Sequence, residues 1–94
     1  MGKLPEIYTQ EVIVFKKLIK RADTKRPVNV YTDTAGNHAV ANGNHRSVKA
    51  FLEGTTDQLP RHVIGHLNKD VSKDPYYRHV SEVKMSEADP PYWM

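Results

Sequence analysis

Cysteine is absent from this chain. That absence excludes disulfide staples, thiolate catalysis and cysteine-based zinc sites, and it fits a reducing compartment, with the cytoplasm as the expected location. Long apolar runs are missing as well. Met1 to Glu11 holds none of signal-peptide length, and nothing downstream approaches the roughly 20 apolar residues that a membrane span needs. The expectation is a protein that is neither exported nor embedded and has no membrane partner. An excess of one charge is lacking too: 14 basic residues face 11 acidic ones, a formal charge of +3, which permits an anionic partner such as DNA without implying one.

What remains is a chain of 94 residues with 38% apolar and 27% charged residues, inside the globular range and outside the disordered one. Its length suits one small domain over residues 1–94 that buries a modest core.

The apolar residues Tyr8, Val12, Phe15, Ile19 and Ala22 fall at three-and-four spacing, which predicts a helix with Thr9 as N-cap. Gln10 and Glu11 suit its first turn, Val14 and Leu18 widen its apolar face, and Lys16, Lys17, Lys20 and Arg21 complement the dipole at its C-terminal half. Arg26-Pro27 ends it, because proline lacks an amide hydrogen and pushes the preceding residue to extended backbone. A strand over Val28 to Thr32 follows, then turn chemistry in Asp33-Thr34-Ala35-Gly36-Asn37, then a strand over His38 to Ala41, together a hairpin. Asn42-Gly43-Asn44 leads into a second helix marked by Val48, Phe51 and Leu52 and closed by Gly54. After the polar loop Thr55 to Gln58, Leu59-Pro60 introduces a strand over Arg61 to Ile64, bounded by Gly65. Tyr77 to Met85 is predicted as a further strand, from Tyr77, His79 and Val83 at multiples of two.

The most chemically suggestive stretch is Asn42-Gly43-Asn44-His45-Arg46. A glycine between strand and helix lets the backbone turn sharply and approach a ligand, while the helix start leaves amide hydrogens unpaired. Such amides attract anions; Arg46 adds a guanidinium fork, Ser47 a hydroxyl, and His45 a second donor or a proton shuttle. The competing account is a plain helix start with Arg46 in solvent.

Pro27-Val28-Asn29-Val30, Gly36, Ala39-Val40-Ala41-Asn42-Gly43-Asn44-His45-Arg46, Ala50, Gly54, Pro60 and Val63-Ile64 together resemble the ParB/sulfiredoxin superfamily, from about Thr9 to Ile64. The resemblance implies an α+β domain with a small mixed sheet and two main helices, its core near 9–64 and a C-terminal extension over 65–94. It also implies that the turn binds nucleotide phosphates, a triphosphate or diphosphate with Mg²⁺, through Gly43, Asn44, His45 and Arg46. The departures matter. Sulfiredoxins carry cysteine between the glycine and the histidine; here it is Asn44, so sulfinic-acid reduction has no nucleophile. Partition proteins commonly carry acids at the positions of Asn42 and Asn44, and an amide neither acts as a base nor holds a metal as a carboxylate does. Nucleotide hydrolase, kinase or nuclease activity therefore lacks its acids, and no catalytic residue is named. The partition proteins' DNA-reading and dimerisation segments have no counterpart after the third strand.

Other groups carry plainer readings. His62 and His66 are four apart, but on a strand that spacing spreads the rings, so no metal site is expected. The basic run Lys16, Lys17, Lys20, Arg21, Lys25 and Arg26 reads first as a solvated face and second as a contact for nucleic-acid phosphate. Asp33, Asp57, Asp70, Asp74 and Asp89 lie in turns, where aspartate is structural. Tyr76, Tyr77, Tyr92 and Trp93 read as a tail folded back on the core or as a partner-binding patch. The alternative function is accordingly a non-catalytic interaction or inhibitor protein, of phage or mobile-element type, binding a protein or nucleic acid through its basic helix or aromatic tail.

Overall fold

A computed structural model describes residues 4–92. The fold is α+β, with two α-helices against a five-stranded mixed sheet and a separate two-stranded ribbon. In chain order the elements are β1 (Ile7–Thr9), β2 (Ile13–Phe15), α1 (Lys16–Arg21), β3 (Val28–Thr32), β4 (His38–Asn42), α2 (Asn44–Leu52), β5 (Arg61–His66), β6 (Arg78–His79) and β7 (Lys84–Ser86). Single 3-10 turns stand at Thr56–Gln58, Val71–Lys73 and Val80–Glu82. The large sheet runs β5-β3-β4-β1-β6, with β3 antiparallel to β4, β1 parallel to β4, β5 parallel to β3 and β6 antiparallel to β1.

The central hairpin forms where local chemistry demands it. Val28 and Val30 alternate with Asn29 and Tyr31 along β3, and both valines are fully buried. Between the strands, Asp33 accepts hydrogen bonds from the Ala35 and Asn37 amides at 3.0 and 2.6 Å and closes the loop. With Ile7, Val40, Ala50, Leu59 and Val80 these valines make the main core cluster, which joins the sheet to α2. Burying an aliphatic side chain of this size contributes about 1.5–3 kcal/mol, so the cluster is the chief stabiliser of the sheet–helix contact.

The first helix differs from the sequence expectation. Tyr8 and Thr9 lie in β1, and Thr9 is fully buried rather than capping a helix; α1 begins only at Lys16. Ile13, Val14 and Phe15 pair in parallel with Lys84, Met85 and Ser86 of β7. Branched and aromatic side chains suit that pleated ribbon, and the pairing overrides a helical spacing that is only a weak prior. Val14 and Ile19 still share one cluster, with Val48 and Val83.

Two further expectations are corrected. Tyr77 to Met85 is not one strand: a 3-10 turn at Val80–Glu82 divides it, burying Val80 between β6 and β7. The aromatic tail does not fold onto the core at Tyr92, which is 99% exposed, and Tyr76 is 75% exposed; Trp93 lies outside the described residues. The strand at Arg61 continues through Gly65 to His66. No helix among the described residues is long and apolar enough to cross a membrane.

Candidate functional site

At the end of β4 the chain must reverse into α2 within one residue, and Gly43 does this at φ 106°, a left-handed conformation. The neighbours add a second demand for glycine. A β-carbon there would stand 2.6 Å from Val28 Cγ1 and 3.1 Å from Arg46 Nη2. The Ser47 amide then bonds the Gly43 carbonyl at 2.9 Å and starts the helical ladder.

Above that first bond, the amides of Asn44, His45 and Arg46 donate to no acceptor among the described residues, and no side chain caps the helix. The residues that carry them line an open cleft of about 420 Å³, whose walls include Asn42 to Arg46 together with Leu18, Arg21, Ala22, Asp23 and Arg26. Glu11 completes the rim, held by Arg78, which donates to the Gln10 and Glu11 carbonyls at 2.8 Å each. A cleft of this volume falls in the range that encloses a small organic ligand, about 300–1,000 Å³.

Three arginines, Arg21, Arg26 and Arg46, line the cleft against two acids, Glu11 and Asp23. Arg46 is steadied by donating from Nη1 to the Pro27 carbonyl at 2.9 Å, a bond to a neutral acceptor that leaves its charge uncompensated. Asn44 is fixed to β1, its side-chain oxygen accepting from the buried Thr9 hydroxyl at 2.5 Å. Lys49 anchors the end of α1 by donating to the Lys20 and Ala22 carbonyls, at 3.3 and 2.8 Å.

Two sequence-predicted members take other parts. Ser47 is fully buried, its hydroxyl donates to the Gly43 carbonyl at 3.0 Å, and it is not in the cleft wall. It stabilises the turn instead of offering a hydroxyl to a ligand. His45 does line the cleft, but its Nε2 accepts from the Phe15 amide at 3.5 Å. Burial holds its imidazole below the ordinary range, against a smaller opposing pull from Glu11, so at neutral pH it adds no positive charge.

Arg21, Arg26, Leu18, Glu11 and Asp23 had no place in the sequence-level site. A usable signal did exist for Arg26: it directly precedes Pro27, and the Pro27-led strand runs beside the glycine turn. Lys16 and Lys17 of the same basic run point elsewhere, pairing with Glu87 at 3.0 Å and with Asp89. Exposed pairs of this kind contribute only about 0–1 kcal/mol. His62 and His66 lie on β5, and His66 Nδ1 meets the Thr32 hydroxyl at 2.8 Å. Among the described residues no group of three His, Asp or Glu side chains is arranged to hold a metal ion.

The chain matches no protein-family model, no curated protein and no solved structure.

Proposed function

We propose that this chain is a small cytoplasmic phosphate- or nucleotide-binding protein of ParB/sulfiredoxin type, and that the cleft at the start of α2 is its binding site. The observation that carries this reading is the convergence of three unpartnered helix-start amides and three arginines on one open cleft. Backbone donors at a helix N-terminus and guanidinium forks are the two groups best matched to phosphate oxygens, and residues carrying both line the one cleft. In this assignment Gly43 allows the close approach, Asn44 and His45 supply amides, and Arg46, Arg21 and Arg26 clamp the charge. Leu18 and Ala22 offer an apolar surface for a base or sugar. Mg²⁺ would arrive with the nucleotide, and Glu11 and Asp23 are the carboxylates in the wall that stand nearest to that role. DNA, whose backbone repeats the same phosphate, is the macromolecular form of this ligand.

The test is a thermal-shift titration with ATP, ADP, CTP and inorganic phosphate, each with and without Mg²⁺. A ligand at about a hundred times its dissociation constant adds about 2.7 kcal/mol of stability, a shift of several degrees for a domain of this size. Arg46→Ala should remove that shift while changing the unliganded stability by only about 1 kcal/mol, the worth of its bond to Pro27. No shift with any of these ligands at millimolar concentration would overturn the reading.

A second reading, a protein that docks a macromolecular partner through its tail, is favoured by the exposure of Tyr76 and Tyr92, since solvated aromatics are typical anchors of interfaces. It expects no nucleotide shift.

A further inference from the structure

Near Phe51, at the other end of α2 from the cleft, the chain brings a serine, a histidine and a glutamate together. His79, at the end of β6, meets the Glu6 carboxylate through Nε2 at 2.6 Å. Its other nitrogen, Nδ1, meets the Ser81 hydroxyl at 2.7 Å and accepts from the Ser81 amide at 3.2 Å. An amide can only donate, so Nδ1 is the unprotonated nitrogen and Nε2 carries the proton toward Glu6. The serine hydroxyl therefore shares the Nδ1 lone pair with the Ser81 amide, which caps the 3-10 turn through it, and the imidazole is oriented by a carboxylate, the order of roles in a nucleophilic triad.

The ring is held as a positioned catalytic group must be. Tyr8 and Phe51 pack edge-on against it at centroid distances of 5.4 and 5.9 Å. Its side chain is 22% exposed, and Ser81 stands on the surface. Beside the ring opens a cavity of about 260 Å³, walled by the apolar Leu4, Ile7, Phe51 and Val80 and by the polar Glu6, Thr56, Asp57 and Arg61; Ser81 stands outside this wall. The Arg61 Nε is buried without a hydrogen-bond partner among the described residues. The wall mixes apolar side chains with two carboxylates, and the Arg61 guanidinium is engaged by the Pro5 and Thr56 carbonyls and by His38.

We propose that Ser81, His79 and Glu6 form a second, catalytic site that hydrolyses small carboxylic esters. Ser81 Oγ attacks the ester carbonyl carbon as its proton passes to His79 Nδ1. The ester C–O bond breaks, and the leaving alkoxide departs as an alcohol with that proton, which leaves Ser81 acylated. Water then attacks the acyl carbon, giving a proton to Nδ1. Oγ leaves and recovers that proton, and a carboxylic acid is released. Water is the only co-reactant, and no electrons change hands. Glu6 meets His79 Nε2 and not the Ser81 hydroxyl, so it acts through the imidazole as a positioning residue that keeps the tautomer and steadies the imidazolium.

The full chain, treated with a fluorophosphonate and analysed by intact mass and peptide mapping, should carry one adduct, on Ser81. It should also hydrolyse 4-nitrophenyl acetate with a burst of nitrophenol. Ser81→Ala should lose both signals, and His79→Gln should slow labelling about a hundredfold, within the usual share of a general base. Glu6→Gln should lower kcat about tenfold with KM unchanged, as expected for an interaction used only in the transition state. Because His79→Gln also disturbs packing, a thiol probe gives an independent test. Ser81→Cys should react with iodoacetamide about ten times faster than a cysteine placed at the exposed Thr34 of the hairpin loop, since a neighbouring imidazole raises the thiolate fraction. No adduct, an adduct on another residue, or equal alkylation at the two cysteines would overturn the proposal.

Discussion

Gly-Asn-His occurs at Gly36-Asn37-His38 and again at Gly43-Asn44-His45, and the two copies meet opposite fates. Both glycines take positive φ, 84° and 106°. In the first copy every polar group is spent on structure: Asn37 donates from its amide and side chain to Asp33, and from its side chain to Asp70 at 3.3 Å, while His38 is buried against Arg61. In the second the amides of Asn44 and His45 have no acceptor among the described residues, and both residues border a cleft. The difference lies three residues upstream. Before Gly36 stands Asp33, a buried carboxylate that gathers the loop's donors; before Gly43 stands Val40, a core side chain with nothing to accept. One motif becomes a closed turn or the open edge of a cleft according to whether an acceptor precedes it.

The harshest break of that comparison is Asp33→Ala. Asp33 accepts from the Ala35 and Asn37 amides, the Asn37 side chain and, at 2.9 Å, the Val71 amide, which is part of a fully buried residue. Hydrogen bonds to a charged group contribute about 1.5–3 kcal/mol each in isolation, and orphaned buried donors add a desolvation cost. Because these bonds share one acceptor their energies do not sum. A loss of about 3–4 kcal/mol in urea unfolding is expected, a cost at the severe end for single substitutions. A change below about 1 kcal/mol would show that Val40 and Asp33 are not what separates the copies.

Next in size are the glycines themselves. Gly36→Ala meets nothing within 4 Å, so only its left-handed backbone is strained; about 1 kcal/mol is expected. Gly43→Ala adds the 2.6 Å clash with Val28, and about 2–3 kcal/mol should be lost, because a packed core yields little. Equal melting temperatures for the two variants would contradict the close packing at the second copy.

The central stretch from Val28 to Leu52 was legible because its signals are local: alternating valines, an Asp-led loop and a glycine before an amphipathic helix. The ends were not. Ile13 to Phe15 become a strand through pairing with Lys84 to Ser86, about seventy residues away, and a helical spacing in that window carries no trace of a distant partner. The same limit explains the site. Its glycine turn can be read from five residues, whereas Arg21 and Arg26 reach the cleft only after α1 is folded across the start of α2. Ser47 was misassigned because a hydroxyl in a helix's first turn serves equally to bond the preceding turn, as it does with Gly43.

The smallest effect separates the two histidines by pH. His38 is held below its ordinary value of 6.5 by burial and by the charge of Arg61, against a weaker pull from Asp33, and its Nδ1 faces Arg61 Nη1 at 3.1 Å. A guanidinium only donates, so the folded state requires His38 neutral. His45 is also depressed, by burial. Above pH 6.5 both residues are neutral whether the chain is folded or not, and stability is highest. As pH falls through that value the unfolded chain takes up protons that the native state refuses, so stability declines. Asp33 adds nothing in this window: although burial pulls its carboxyl upward, the hydrogen bonds from Val71, Asn37 and Ala35 prevail and hold it below the ordinary 3.8. Its contribution is intact above that pH and is lost only as acid reaches its lowered range. Unfolding free energies measured from about pH 7 to about pH 5 should therefore fall in the wild type and fall less steeply in His38→Gln, whose amide oxygen can still accept from Arg61. The difference in slope between wild type and His38→Gln should be the same with and without saturating phosphate ligand, because His38 does not border the cleft. Parallel pH curves for wild type and His38→Gln would place the titrating group elsewhere.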